Sequence, residues 1–140
     1  MTPADATRPW AVSRELLAAI ETHARDERPR ECCGVLIGVK GRLLEARRAA
    51  NLSDDPNRYE LDPRSHVRAI RDTRGSDCEV VGFYHSHPHS APVPSASDLA
   101  GCSYPELVHL IVGLVGEHAE IRAWRLGADA AIEVPLDIDG

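Results

Sequence analysis

The stretch richest in reactive side chains is His85-Ser86-His87-Pro88, followed after six residues by Ser95 and after two more by Asp98. In a strand, residues two apart point to one side, so His85 and His87 can aim both imidazoles at one point. Pro88 lacks a backbone N–H and stops the strand directly behind the second histidine. The loop Pro88–Pro94 carries three prolines and gives the chain room to turn back, so that Asp98 arrives in the first turn of a short helix beginning around Ser95–Asp98. Ser95, three residues before Asp98, matches a capping arrangement that fixes such a turn. Two imidazoles and a carboxylate make a standard catalytic zinc set, with the fourth position left for water. Histidines that only decorate a strand end have no packing reason to sit beside this serine and this carboxylate. No HExxH occurs, which excludes the common helical zinc-protease pattern.

These side chains need a scaffold, and the flanking sequence predicts its parts. A helix is expected from about Ser13 to Arg25, with Ser13 as N-cap and Leu16, Leu17, Ile20 and Ala24 on one face. Cys33–Val39, the turn Lys40-Gly41 and Arg42–Ala50 read as strand, tight turn and strand, and Asn51–Arg58 as a polar loop. Asp62-Pro63 is a helix start, because the carboxylate caps free N–H groups and proline suits the first turn. Val67 and Ile70 mark the expected buried face of that helix, and Gly75 follows its end. Glu79–His87 alternates as a strand; Leu107–Val115 and His118–Leu126 form a second hairpin, and Ala130–Val134 adds a last strand. The tail after Pro135 is expected to be loose. Helices interleaved with a mixed or mostly antiparallel sheet give a single α/β (α+β) domain.

Bulk properties narrow the function classes. The 140 residues suit one core, and 43% hydrophobic with 27% charged residues is ordinary for a soluble globular chain. A formal net charge of -6 argues against a nucleic-acid partner, which a basic field would serve better. The arginine clusters at Arg42, Arg47 and Arg48 and at Arg64, Arg68, Arg71 and Arg74 read as solvated faces. The N-terminus lacks a signal-peptide pattern, and the longest apolar run, Leu110–Val115, is far too short to span a bilayer. A cytoplasmic location with no membrane partner is the expectation. Cys32, Cys33, Cys78 and Cys102 show no C-x-x-C spacing and read as buried small hydrophobes in a reducing compartment.

The motif resembles that of the JAMM/MPN+ metalloproteases, which join H-x-H-P-x6-S-x2-D to a distant glutamate within P-x-E-x-C-G. Here that glutamate is Glu31, in Pro29-Arg30-Glu31-Cys32-Cys33-Gly34, before the apolar Val35-Leu36-Ile37-Gly38. The resemblance runs from roughly Ser13 to Leu126 with no departure at any motif position. It implies a cytidine-deaminase-like central sheet flanked by helices, with an extension at 1–12, the domain at 13–134 and a tail at 135–140. It also implies one zinc per chain held by His85, His87 and Asp98, a metal-activated water as nucleophile, Glu31 as general base, and Ser95 as oxyanion donor or water-orienting group.

Function is also implied only by the resemblance. Small stand-alone members of prokaryotic type are peptidases acting after the C-terminal Gly-Gly of ubiquitin-like modifiers or sulfur-carrier proteins, so such a tail is the expected partner. Arg58–Leu61, where Tyr59 and Leu61 alternate, is the expected edge for an extended tail, with Ser86 as a further substrate contact. Homodimerisation stays open. Competing readings are a non-catalytic MPN-type interaction module, which needs no base beside the metal, and a RadC-like DNA-associated protein, which the acidity and the absence of H-N-H-P-S-G wording oppose. A zinc deaminase is excluded for want of H-x-E with P-C-x-x-C.

Overall fold

The computed structural model describes residues 8–127 and 130–140. Along the chain these form β1 (Trp10–Ser13), α1 (Arg14–Glu27), β2 (Cys33–Val39), β3 (Arg42–Ala49), α2 (Pro63–Thr73) and β4 (Glu79–His87). There follow α3 (Ala96–Ala100), β5 (Val108–Gly113), β6 (Glu120–Leu126), β7 (Ala131–Val134) and β8 (Leu136–Asp139). The strands make one mixed sheet in the order β7-β6-β5-β4-β2-β3-β1-β8. Within it β4 and β5 run parallel, as do β1 with β3 and β1 with β8. No described helix is long and apolar enough to cross a membrane.

Helices cover both faces. On one face α1 begins at its Ser13 cap, whose hydroxyl accepts from Leu16 N at 3.1 Å, and sends Leu16, Ile20 and Ala24 into the main core. There they meet Leu36, Tyr84, Leu110 and Val112. Tyr84 Oη lies 2.7 Å from Nδ1 of the buried His23 of α1. Gly34 makes room for this ring, since a Cβ there would stand 2.1 Å from Tyr84. On the opposite face Val35, Ile37 and Phe83 pack with Ala69 of α2, and Ile111, Trp124 and Leu126 pack with Leu99 of α3. Strand β4 therefore stands mid-sheet with its odd residues Phe83, His85 and His87 away from α1, which gives the two histidines a rigid mount.

Of the four cysteines expected to be buried only Cys32 and Cys33 are, with Cys78 and Cys102 half-buried, and two expectations about elements fail as well. Val67 and Ile70 are 53% and 42% exposed, and α2 touches the sheet through the buried Ala69 with half-buried His66 and Thr73. A small residue allows close backbone approach, so in this largely polar helix size rather than hydrophobicity selects the contact face. The tail is not loose either. Residues 136–139 pair in parallel with β1, and Arg42 donates to both Asp139 carboxylate oxygens at 2.8 and 3.0 Å. Strand β1 would otherwise present unpaired backbone groups on that side. Residues 10–13 and 136–139 thus both belong to the sheet; residues 1–7 of the expected N-terminal extension lie outside the described residues.

Candidate metal centre

His85 and His87 project from the end of β4, and Asp98 returns to them on the first turn of α3. The two Nε2 atoms are 3.2 Å apart, and Asp98 Oδ1 and Oδ2 stand 3.1 Å from His85 Nε2 and His87 Nε2 respectively. Asp98 is aimed by a capping box: its N–H donates to Ser95 Oγ at 3.1 Å, and Ser95 N–H donates to its Oδ2 at 2.9 Å. His87 Nδ1 lies 2.9 Å from Ala91 O, an acceptor, so this nitrogen carries the hydrogen and Nε2 presents a lone pair. The intervening loop is tied down by Trp124, whose Nε1–H donates to Pro92 O at 3.0 Å.

These distances fit a metal. Lone pairs and carboxylate oxygens crowded at 3.1–3.2 Å repel one another unless positive charge lies between them. A tetrahedral zinc with bonds near 2.0–2.1 Å separates its ligand atoms by about 3.3 Å, close to the spacing found. Burial holds the His85 pKa below the ordinary value, which favours the neutral, metal-binding imidazole. Burial works to raise the Asp98 pKa, but the adjoining His85 and His87 imidazoles outweigh it and hold the carboxyl well below the usual range. Burial also works to lower the His87 pKa, and its contacts with Asp98 and Ala91 O reverse the direction.

Glu31, Tyr59, Ser95 and Asp98 line one cavity of about 690 Å3. Glu31 is only 8% exposed, and burial pushes its carboxyl up to about 7, with Asp98 raising it further against the opposing effect of His87. The Tyr59 ring stacks on His85, with centroids 4.4 Å apart and planes at 22°. Leu61 lines the same cavity and packs beside Val35, Ile37, Ala69 and Phe83. The far wall is aromatic, with His66 edge-on to both Phe83 and Tyr104.

Residues 13–127 match the family model described as prokaryotic homologs of the JAB domain. The chain belongs to this family. The JAB-domain chain is 40% identical over 100 residues to a desampylase of Haloferax volcanii, covering 66% of this chain and 72% of that protein. A desampylase of Pyrococcus furiosus is 36% identical over 96 residues, covering 69% of this chain and just under two thirds (66%) of the relative. The CysO-cysteine peptidase of Mycobacterium tuberculosis is 29% identical over 130 residues, 91% of this chain and 89% of that one. The solution structure of a Desulfitobacterium hafniense protein superposes with a TM-score of 0.84 at 26% identity over 92% of each chain. A JAB1/MPN domain protein from Archaeoglobus fulgidus shares the fold, with a TM-score of 0.59 at 20% identity over 92% of this chain and 98% of that one. The mixed α+β single-domain expectation is met.

Among the residues singled out in the JAB-domain sequence, Ser86 stands apart from the cavity. It is fully buried, and its hydroxyl accepts from Cys32 N at 2.8 Å, so it braces the segment beside Glu31 from the α1 face. Cys32, next to Glu31, is buried too, and burial pushes its thiol up to about 11, far from a reactive thiolate. Sequence reasoning passed over two supports, Trp124 at the loop and Asn51 behind Glu31. Asn51 carried a faint signal, because asparagine two residues before a polar residue commonly bends a loop on its own side chain.

Proposed function

We propose that this chain is a zinc-dependent peptidase or isopeptidase that hydrolyses the bond after the C-terminal Gly-Gly of a ubiquitin-like modifier or sulfur-carrier protein. The observation that carries this reading is the convergence of His85, His87 and Asp98 on one point, with Asp98 lining the same cavity as the buried carboxylate Glu31. The peptidase and desampylase relatives support it. Zinc, when bound by these three residues, would polarise the scissile carbonyl and make water acidic enough to attack at neutral pH.

The remaining work falls to the chain's own groups. Glu31 takes a proton from the attacking water and delivers it to the leaving amine. Its raised pKa suits that shuttle, and a nearby dication favours the charged form that begins the cycle. Ser95 uses its oxygen to cap α3, leaving the hydroxyl hydrogen to stabilise the developing oxyanion. Arg58–Leu61 offers an extended edge along the cavity for a flexible tail, and Tyr59 closes its wall over His85. Four free cysteines suit a reducing cytoplasm. A non-catalytic binding module gives no account of Glu31, since burying a carboxylate costs stability without returning affinity.

The test is cleavage of a ubiquitin-like Gly-Gly fusion by the wild-type protein and by Glu31→Gln. Wild type should cleave after the second glycine, and the variant should not at comparable rates. Equal cleavage by both would remove Glu31 from the mechanism.

A further inference from the structure

The loop between β3 and α2 carries a carboxamide to which the mechanism gives no role. Asn51 Nδ2 donates to Glu31 O and to Arg58 O, both at 3.0 Å. Its Oδ1 accepts from Ser53 N at 2.9 Å and from Glu60 N at 3.0 Å. A carboxamide has two donor hydrogens and two acceptor lone pairs, and here all four are spent on backbone atoms. The partners fix its orientation, because a flipped amide would set NH2 against two N–H groups and oxygen against two carbonyls.

The partners come from functionally different places. Glu31 lies in the lead-in to β2, Ser53 shapes the bend, and Arg58 and Glu60 flank Tyr59, the residue stacked on His85. Main-chain bonds reinforce the join, with Leu52 N donating to Glu60 O at 2.8 Å and Glu31 N to Pro56 O at 3.1 Å. The Glu31–Pro56 bond ties the base segment to the loop and the Leu52–Glu60 bond closes the loop on itself, whereas the Asn51 amide is a single rigid plane touching the base segment and both residues that flank Tyr59.

We propose that Asn51 is a positioning residue that holds Glu31 and the Arg58–Glu60 wall in one fixed relation, so that the base and the path of the substrate tail are set by the same side chain. This rests on the peptidase reading of the site. Displacement of the base lowers kcat, and displacement of the wall raises KM; a side chain that ties them must move both.

Asn51→Asp is the sharpest test. It is isosteric, retains both acceptor contacts, and turns both donor contacts into oxygen facing oxygen. The variant should stay folded and keep its zinc, with kcat at least about tenfold lower and KM at least about tenfold higher on the Gly-Gly fusion, the scale of an ångström-level misplacement. Amide hydrogen exchange should show residues 30–33 and 57–61 loosening together while β5 and β6 remain protected. Asn51→Ala is read in the same way should the aspartate variant fail to fold. Unchanged kinetics, a change in KM alone, or loosening of only one segment would overturn the proposal. If the wild type does not cleave the fusion, the peptidase reading fails, and the exchange experiment still decides whether Asn51 couples the two segments.

Discussion

At the residue scale, the proposed mechanism divides the labour of the site between groups that hold charge and one group that moves a proton. The spacing of His85, His87, Ser95 and Asp98 was legible because strand alternation and a helix cap convert sequence distance directly into direction. Glu31 was legible only through family likeness, since nothing local separates it from a surface glutamate. Two variants should separate these roles. Glu31→Gln preserves shape and removes the proton acceptor, so zinc content should stay at the wild-type level while the cleavage rate falls at least about 10²-fold. His85→Ala removes a buried ligand, and elemental analysis of that variant should find the metal lost. Zinc lost from the glutamine variant would mean that Glu31 is a ligand rather than the base.

At the scale of elements, β4 fixes the two candidate ligands His85 and His87 on a mid-sheet strand, while Asp98 depends on a loop and a short helix. Trp124 supplies the missing rigidity by bonding Pro92 O from β6, two strands away from β4. Trp124→Phe leaves that buried carbonyl unpaired, so urea unfolding should show a loss of about 2 kcal/mol. The same variant should release zinc more readily to a chelator; unchanged metal affinity would show that the loop holds its shape without the indole. Strands β2 to β7, both hairpins and the capped starts of α1 and α2 were readable from periodicity and turn residues, whereas β1 fell largely within the expected N-terminal extension. What misled was polarity. In α2 the sheet-facing position is an alanine, so the apolar Val67 and Ile70 pointed to the wrong face. The last strand, Leu136–Asp139, alternates apolar and acidic residues over only four positions, too short a run to stand out; the edge of β1 and Arg42 give it a partner that lies far away in sequence.

At the scale of the molecule, a buried polar set sets the acid limit of stability. Burial pushes the His109 pKa down to about 4, and burial also lowers that of His23, so the folded state resists protons that the unfolded chain accepts near the ordinary 6.5. The stability His109 contributes is complete above about pH 6.5 and is lost as pH falls toward 4, about 3 kcal/mol in all, and the contribution of His23 falls in the same direction. Urea titrations across that range should show the decline, and His109→Leu should flatten it. An equally steep decline in that variant would place the acid sensitivity elsewhere. The proposed catalysis rests on the other set, His85, His87, Asp98 and Glu31, and metal dependence is its most direct test. The measurement is cleavage of a Gly-Gly fusion by protein stripped of metal, before and after addition of one equivalent of zinc. The expected result is no cleavage from the stripped protein and recovery at about one zinc per chain. Cleavage by the stripped protein, or bound zinc that restores none, would contradict the zinc-peptidase account.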